Sequence, residues 1–233
     1  MAQRTLTYRE LESRWKAVRG SGGMRVREVA CVGAPRTLLC AEIGESDLPA
    51  VHLAAGVHGD EPAGVIALLE MAETGAFDAR FSYRIWPCTN PTGFDAGSRE
   101  SGDGIDINRT FGRGGSSPES KAIVMANRDR KFVLAIDLHE DDEASGFYCY
   151  EYGESGMGAR LIEALGNAGI ALDPRALLRP TPAEETEILG GLSLSLLLCR
   201  NAAEHVLTFE TASSRALGKR VAAHIFALTA ALH

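Results

Sequence analysis

Residues 48–69 read LPAVHLAAGVHGDEPAGVIALL, and this stretch decides the fold. Its first half, through Val57, is mostly apolar and predicts a buried strand, whereas the half from Glu61 predicts a helix with proline at its first position. His58 and Glu61 therefore fall in the turn at the carboxyl end of the strand, the edge where open α/β sheets usually form their sites. Two such residues can also be capping or solvated groups, so the turn is at most half of a metal site.

Two later apolar strands are predicted to end in residues that could complete a metal site with His58 and Glu61. Residues 133–139 deliver a second histidine, and strand alternation places Asp137 and His139 on one face. Two histidines and one carboxylate form a common catalytic zinc set, which leaves a fourth position free for water. Residues 206–210 end in Glu210, and a glutamate beside zinc could move a proton from water to a leaving amine. These pieces favour a hydrolytic metal site.

Two loop motifs extend the pattern, Asn90-Pro91-Thr92-Gly93 and Asp106-Ile107-Asn108-Arg109. Taken in order with the other pieces, they resemble the zinc metallocarboxypeptidases of the carboxypeptidase A type, and more closely the succinylglutamate desuccinylase and aspartoacylase branch. The resemblance covers about residues 50–212. It implies an α/β fold of the phosphorylase/hydrolase-like kind, in which one catalytic domain over residues 1–233 has a mixed central sheet with helices on both faces.

The resemblance also implies roles for the matched residues. His58, Glu61 and His139 would bind one zinc ion, and Glu210 would act as general base and acid. Asp106 would orient the ring of His58 from the side that faces away from the metal.

An anchor for the substrate is implied at Asn108 and Arg109, which would bind a free carboxylate. The planar guanidinium suits a carboxylate with two parallel hydrogen bonds, although such a pair taken alone would be surface residues of a polar loop. An arginine between the two loop motifs polarises the scissile carbonyl in this family. Arg99 is the candidate here, with Arg113 as the alternative, and its charge would stabilise the oxyanion.

The predicted function is a zinc-dependent hydrolase that cleaves an amide bond next to a free carboxylate, as a carboxypeptidase or an N-acyl amino acid deacylase. Its partner would be a small carboxylate-bearing peptide or N-acyl amino acid. The alternative is a noncatalytic metal- or peptide-binding protein with the same fold. The acidic run at residues 140–143 is either a solvated loop or a pocket rim that favours amine-bearing substrates. One of Tyr148, Tyr150 and Tyr152 could also enter the pocket.

Composition sets limits on the function. With 233 residues, 45% of them hydrophobic, the chain can bury the core of one α/β domain. A net charge of -7 argues against nucleic acid as a partner. The sequence shows neither a membrane-spanning apolar run nor a secretory signal, which predicts a cytoplasmic protein whose five cysteines are reduced core residues. The composition leaves the oligomeric state open.

The remaining pattern predicts alternating helices and strands. A capping box at Thr7 to Glu10 opens the first helix, and residues 90–117 predict a long irregular loop. His52, His205 and His224 are interpreted as structural. Further strands are predicted near residues 25–32, 37–43 and 81–87, and further helices near residues 117–129, 155–168, 190–201 and 214–232.

Overall fold

A single eight-stranded sheet contains every strand of the part of the chain that the computed structural model describes, which is residues 6–112, 115–153, 155–181 and 191–232. The strands, in chain order, are β1 (Arg25–Val29), β2 (Leu38–Ile43), β3 (Ala50–Ala55), β4 (Ser82–Trp86), β5 (Phe132–Asp141), β6 (Phe147–Tyr152), β7 (Leu172–Leu178) and β8 (Ala203–Ala212).

The strand order across the sheet is β1-β2-β4-β3-β5-β8-β6-β7. Four central strands, β4, β3, β5 and β8, run parallel. β1 pairs antiparallel with β2, and β2 with β4, whereas β6 pairs antiparallel with β8 and parallel with β7. The predicted mixed sheet is therefore confirmed. Because β3, β5 and β8 are parallel and adjacent, their carboxyl ends meet at one edge, and in the register His139 of β5 lies opposite Glu210 of β8.

Helices cover both faces of this sheet, as predicted. The described helices of eight residues or more are α1 (Tyr8–Ala17), α2 (Pro62–Thr74), α4 (Pro118–Asn127), α5 (Met157–Asn167), α6 (Leu194–Asn201) and α7 (Leu217–Ala231), with a shorter α3 (Pro91–Ala96). One hydrophobic core joins the sheet to α1, α2, α5 and α7, and a second core on the opposite face joins it to α4 and α6. No described helix combines the length and apolarity that crossing a membrane requires.

The capping box of α1 is confirmed. The Thr7 side chain accepts a hydrogen bond from the Glu10 N–H, and the Glu10 carboxylate accepts one from the Thr7 N–H. Tyr8 follows with a fully buried ring, and its hydroxyl donates to the carbonyl of Thr37 and accepts from the N–H of Leu39. These bonds attach the first helix to β2 and satisfy the buried Tyr8 hydroxyl both as a donor and as an acceptor.

Three local features differ from the pattern that the sequence predicts. Strands β6 and β7 are absent from the prediction, since β7 contains Pro174 and Arg175 in a short, weakly alternating run. The irregular segment that starts at Asn90 contains α3, which the Asn90 side chain caps by accepting from the Gly93 N–H. Strand β5 continues through Asp141, so the first half of the acidic run is part of the sheet.

Candidate active site

The turn between β3 and α2 places His58 beside Glu61. Helix α2 begins at Pro62, and Glu61 occupies the N-cap position. The turn approaches α3 closely, because a Cβ added at Gly59 would lie only 2.0 Å from the carbonyl carbon of Gly93. Glycine at this position therefore allows the turn to pack against α3, which holds both side chains at the sheet edge.

Three side chains from two elements converge at that edge. His58, Glu61 and His139 each offer one ligand atom, and these atoms all lie within 4.8 Å of one another. His58 Nδ1 lies 2.5 Å from Glu61 Oε1, and His139 Nδ1 lies 2.9 Å from Glu61 Oε2. All three residues are buried. The same ring nitrogen of each histidine thus faces one shared carboxylate.

The other ring nitrogens face two further carboxylates. His139 Nε2 lies 3.2 Å from Asp137 Oδ2, and His58 Nε2 lies 3.4 Å from Asp106 Oδ1. A carboxylate beside Nε2 favours a proton on that nitrogen, which leaves the Nδ1 lone pair for a cation. Asp106 lies beside the ring of His58, on the side away from Glu61. The contact of Asp137 was not predicted, although its position two residues before His139 was a usable signal.

Opposing charges balance within the cluster. Burial lowers the pKa of His139, but the carboxylates of Asp137 and Glu61 raise it well above its usual value. Burial raises the pKa of Glu61, but the two histidines lower it overall. The metal-free cluster therefore favours a protonated His139 beside an ionised Glu61, and a cation bound there would displace the proton.

Glu210 lies beside this cluster, two residues before the end of β8. Burial raises the pKa of Glu210 to about 8, and the nearby carboxylates of Glu61, Asp141 and Asp137 add to the rise, whereas His139 opposes it. Its Oε2 atom is buried without a hydrogen-bond partner among the described residues. A carboxyl group in this environment is suited to accepting and returning a proton near neutral pH.

Two arginines approach the cluster from the loop after α3. Arg99 Nη1 lies 3.3 Å from His58 Nδ1 and 3.8 Å from Glu61 Oε1, and its Nε and Nη2 donate to Asp106 Oδ2. Arg109 is partly buried, with Nη2 at 3.9 Å from Asp106 Oδ2. The alternative candidate for the carbonyl, Arg113, lies outside the described residues.

The segment that carries Arg109 is attached to the start of α6. Asn108 is buried, and its side-chain Oδ1 accepts a hydrogen bond from the Leu194 N–H at 3.1 Å. A bridge between Thr110 and Leu192 continues the contact. These bonds fix Asn108 and Arg109 against a helix rather than leaving them in a free loop.

All eight residues proposed from the sequence border or lie behind one pocket of about 300 Å³. Seven of them line it, and Asp106 lies behind His58. Sequence reasoning missed the hydroxyl groups of the wall, among which Ser195 Oγ and Thr208 Oγ1 lie 2.8 Å apart. Thr208 lies two residues before Glu210 in β8, and that spacing was the available signal.

The tyrosines of β6 form another wall. Tyr148, Tyr150 and Tyr152 line the pocket, as alternate residues of one strand can. The Tyr148 hydroxyl donates to Asp141 Oδ2 at 2.8 Å, and the guanidinium of Arg175 lies over the Tyr148 ring.

The acidic run is divided between the sheet and the pocket rim. Asp141 and Asp142 line the pocket, but Arg175 forms an ion pair with Asp141. Glu140 is buried and paired with Arg220. The rim is therefore less negative than the sequence suggests.

The donor set fits a divalent metal ion. Two imidazole nitrogens and one carboxylate are the protein ligands of many catalytic metal sites, which keep one position open. Both Nδ1 atoms point at the same carboxylate, and Glu210, whose Oε2 has no hydrogen-bond partner among the described residues, lines the same pocket.

The mixed eight-stranded sheet with helices on both faces is a carboxypeptidase-like fold. The family model of the succinylglutamate desuccinylase/aspartoacylase catalytic domain matches residues 47–172, more than half of the chain. The chain belongs to this family, which confirms the predicted resemblance and supports a metal-dependent hydrolase.

Individual relatives agree with this assignment. Carboxypeptidase SOL1 of Arabidopsis thaliana is 30% identical over 111 residues, which are 39% of this chain and 23% of that protein, so the chain spans less than a quarter of its length. A structure from Shewanella amazonensis SB2B has a TM-score of 0.80 at 20% identity, over 97% of this chain and 92% of the other. A metallo-carboxypeptidase from Pseudomonas aeruginosa, in complex with (2-guanidinoethylmercapto)succinic acid, has a TM-score of 0.71 at 15% identity, over 98% and 69%. Both structures show the fold.

Proposed function

We propose that this protein is a one-zinc amidohydrolase that cleaves an amide bond next to a free carboxylate, with residues 1–233 forming one catalytic domain. The observation that carries the proposal is the convergence of His58, Glu61, His139 and Glu210 at one pocket that also contains Arg109. A carboxypeptidase and an N-acyl amino acid deacylase are two forms of this reaction.

In this proposal His58, Glu61 and His139 hold the zinc ion, and Asp106 and Asp137 orient the two rings. A zinc ion held there supplies the Lewis acidity that activates water and polarises the carbonyl. Glu210 takes the proton from the attacking water and returns it to the leaving amine.

Arg99 and Arg109 divide the negative charges of the substrate between them. Arg99 lies closer to the cluster, within 4 Å of both His58 and Glu61, so its charge would stabilise the developing oxyanion. Arg109 and the amide of Asn108 would hold the substrate's free carboxylate. The succinic acid ligand of the Pseudomonas relative carries carboxylates, which agrees with such an anchor.

The carboxylate anchor is tested with paired substrates. Zinc-loaded protein is assayed on dipeptides and N-acyl amino acids, each as the free acid and as its C-terminal amide. Arg109→Ala should lower kcat/KM for the acids by about a hundredfold and for the amides by much less, because a charge-assisted bidentate contact is lost only with the acids.

Equal losses on acids and amides would contradict the anchor at Arg109. Wild-type protein that binds zinc but cleaves no member of the panel would favour the alternative, a noncatalytic metal- or peptide-binding protein. The rank order within the panel decides between peptide and N-acyl amino acid substrates.

A further inference from the structure

Helix α2 receives no side-chain cap from its own N-cap residue. Glu61 occupies the N-cap, but its carboxylate faces the two histidines and makes no capping hydrogen bond. A helix N-terminus leaves several N–H groups without intrahelical partners, and these need acceptors when they are buried. Pro62 removes one such group because it has no N–H, but Ala63 retains one.

Glu140 supplies the missing acceptor from β5. Its Oε1 accepts from the Ala63 N–H at 2.6 Å, two residues after Glu61. Its own backbone N–H donates to Glu61 Oε2 at 3.0 Å. Glu140 directly follows His139, so one residue connects the strand of one proposed ligand to the helix of another.

A buried carboxylate needs a counter-charge, and Arg220 provides it. The Glu140 side chain is 1% exposed, and Arg220 Nη1 donates to its Oε2. Arg220 lies in α7, where its Nε also donates to the carbonyl of Arg215 at 2.9 Å, which fixes the guanidinium. The ion pair therefore joins α7, α2 and β5 behind the cluster.

We propose that Glu140 and Arg220 are positioning residues of the metal centre, and this inference rests on the proposed metal site at His58, Glu61 and His139. The pair replaces the helix cap that Glu61 cannot provide, and it holds the Glu61 carboxylate in the orientation that a cation requires. Residues that orient metal ligands typically change metal affinity tenfold to a hundredfold when they are substituted.

The test compares metal affinity with the stability of the metal-free protein. Glu140→Gln keeps the size of the side chain and an oxygen for Ala63, but it removes the charge that fixes Arg220. The dissociation constant of zinc, measured by competition with a chromophoric chelator, should rise about tenfold to a hundredfold. The d–d absorption of the cobalt-substituted variant should shift, because the geometry of the ligands changes.

A matched control is available in Glu42→Gln. Glu42 of β2 also pairs with a buried arginine, Arg84, at a distance from the cluster in the sheet order. This variant should lose stability towards urea in the metal-free state and keep the wild-type zinc affinity within about twofold, as expected for an independent site.

Two outcomes separate this inference from the proposed function. Wild-type protein that binds no zinc would overturn the metal site itself. Wild-type protein that binds zinc, with Glu140→Gln showing the same affinity as wild type, would overturn only the positioning role. If Glu140→Gln does not fold, Arg220→Lys serves instead, since lysine keeps the charge but cannot bond both Glu140 and Arg215. Its zinc affinity should fall by less than the tenfold to hundredfold expected for Glu140→Gln, and an unchanged affinity would overturn the positioning role.

Discussion

Among single residues, Glu210 has the proposed role that is most directly testable, namely proton transfer. Its carboxyl group lies beside the cluster with one oxygen unpartnered among the described residues, so a water near the cluster is the natural partner for it. In the register of the sheet it lies between His139 of β5 and Tyr148 of β6, which fixes its position from both sides. Its role is therefore separable from metal binding.

Replacing Glu210 with glutamine should abolish turnover while one zinc ion remains bound. The amide has the size of the carboxyl group but cannot accept the water's proton, and general base catalysis typically contributes 10²- to 10⁴-fold. Steady-state rates and elemental analysis of the same preparation measure both effects. Retained activity, or loss of zinc together with activity, would reject the assigned role.

A site residue can be predicted from the sequence when its side-chain type and its position after an apolar run both indicate a function. His58 and Glu61 share one predicted turn, and His139 and Glu210 each follow an apolar run of the sequence, so they could be singled out before the fold was known. The roles of Glu140 and Arg220 could not. Their contacts depend on where α7 crosses the sheet, which no local pattern encodes.

At the scale of elements, the turn between β3 and α2 depends on glycine. Gly59 lets this turn approach the backbone of Gly93 and Phe94 at a distance that a Cβ atom would prevent. The sequence predicts the strand, the turn and the helix of this unit, but not the reason for Gly59, because the neighbouring α3 lies in a segment without periodicity. Strand β7 was missed for a similar reason, since its pairing with β6 outweighs its weak local pattern.

Substituting Gly59 with alanine should lower the free energy of unfolding by several kcal/mol and weaken zinc binding, since the added Cβ would meet backbone atoms that must move. Chemical denaturation of the metal-free protein and zinc titration check the two effects.

Gly218→Ala is the control. No atom lies within 4 Å of a Cβ there, so alanine should leave zinc affinity unchanged and stabilise α7 by up to about 1 kcal/mol. Equal behaviour of the two variants would contradict the packing argument.

At the level of the whole molecule, a buried histidine of the central sheet, His52, affects stability. His52 of β3 is fully buried, and its Nε2 lies 3.2 Å from Asn127 Nδ2 of α4. Burial, together with the charge of Arg84, lowers the pKa of His52 from 6.5 to about 3. The predicted structural role of His52 agrees with this environment, because a neutral ring can accept from Asn127 without a counter-ion.

This histidine should make stability depend on pH. Between pH 6.5 and about 3 the unfolded chain binds a proton at His52 and the folded protein does not, so stability falls as the pH is lowered through this range. His52→Gln should reduce that slope by up to about 1.4 kcal/mol per pH unit. Urea unfolding of metal-free protein between pH 7 and 5 measures it, and identical slopes in both proteins would contradict a neutral buried ring.

The number of zinc ions bound per chain shows whether His58 and Glu61 hold one cation together with His139, which is remote from them along the chain. Wild-type protein, dialysed against zinc and then against metal-free buffer, should retain one zinc ion per chain. His58→Ala and His139→Ala should each lose it, while His205→Ala, at a histidine outside the cluster, should keep it. Full zinc occupancy in both His58→Ala and His139→Ala would contradict the account.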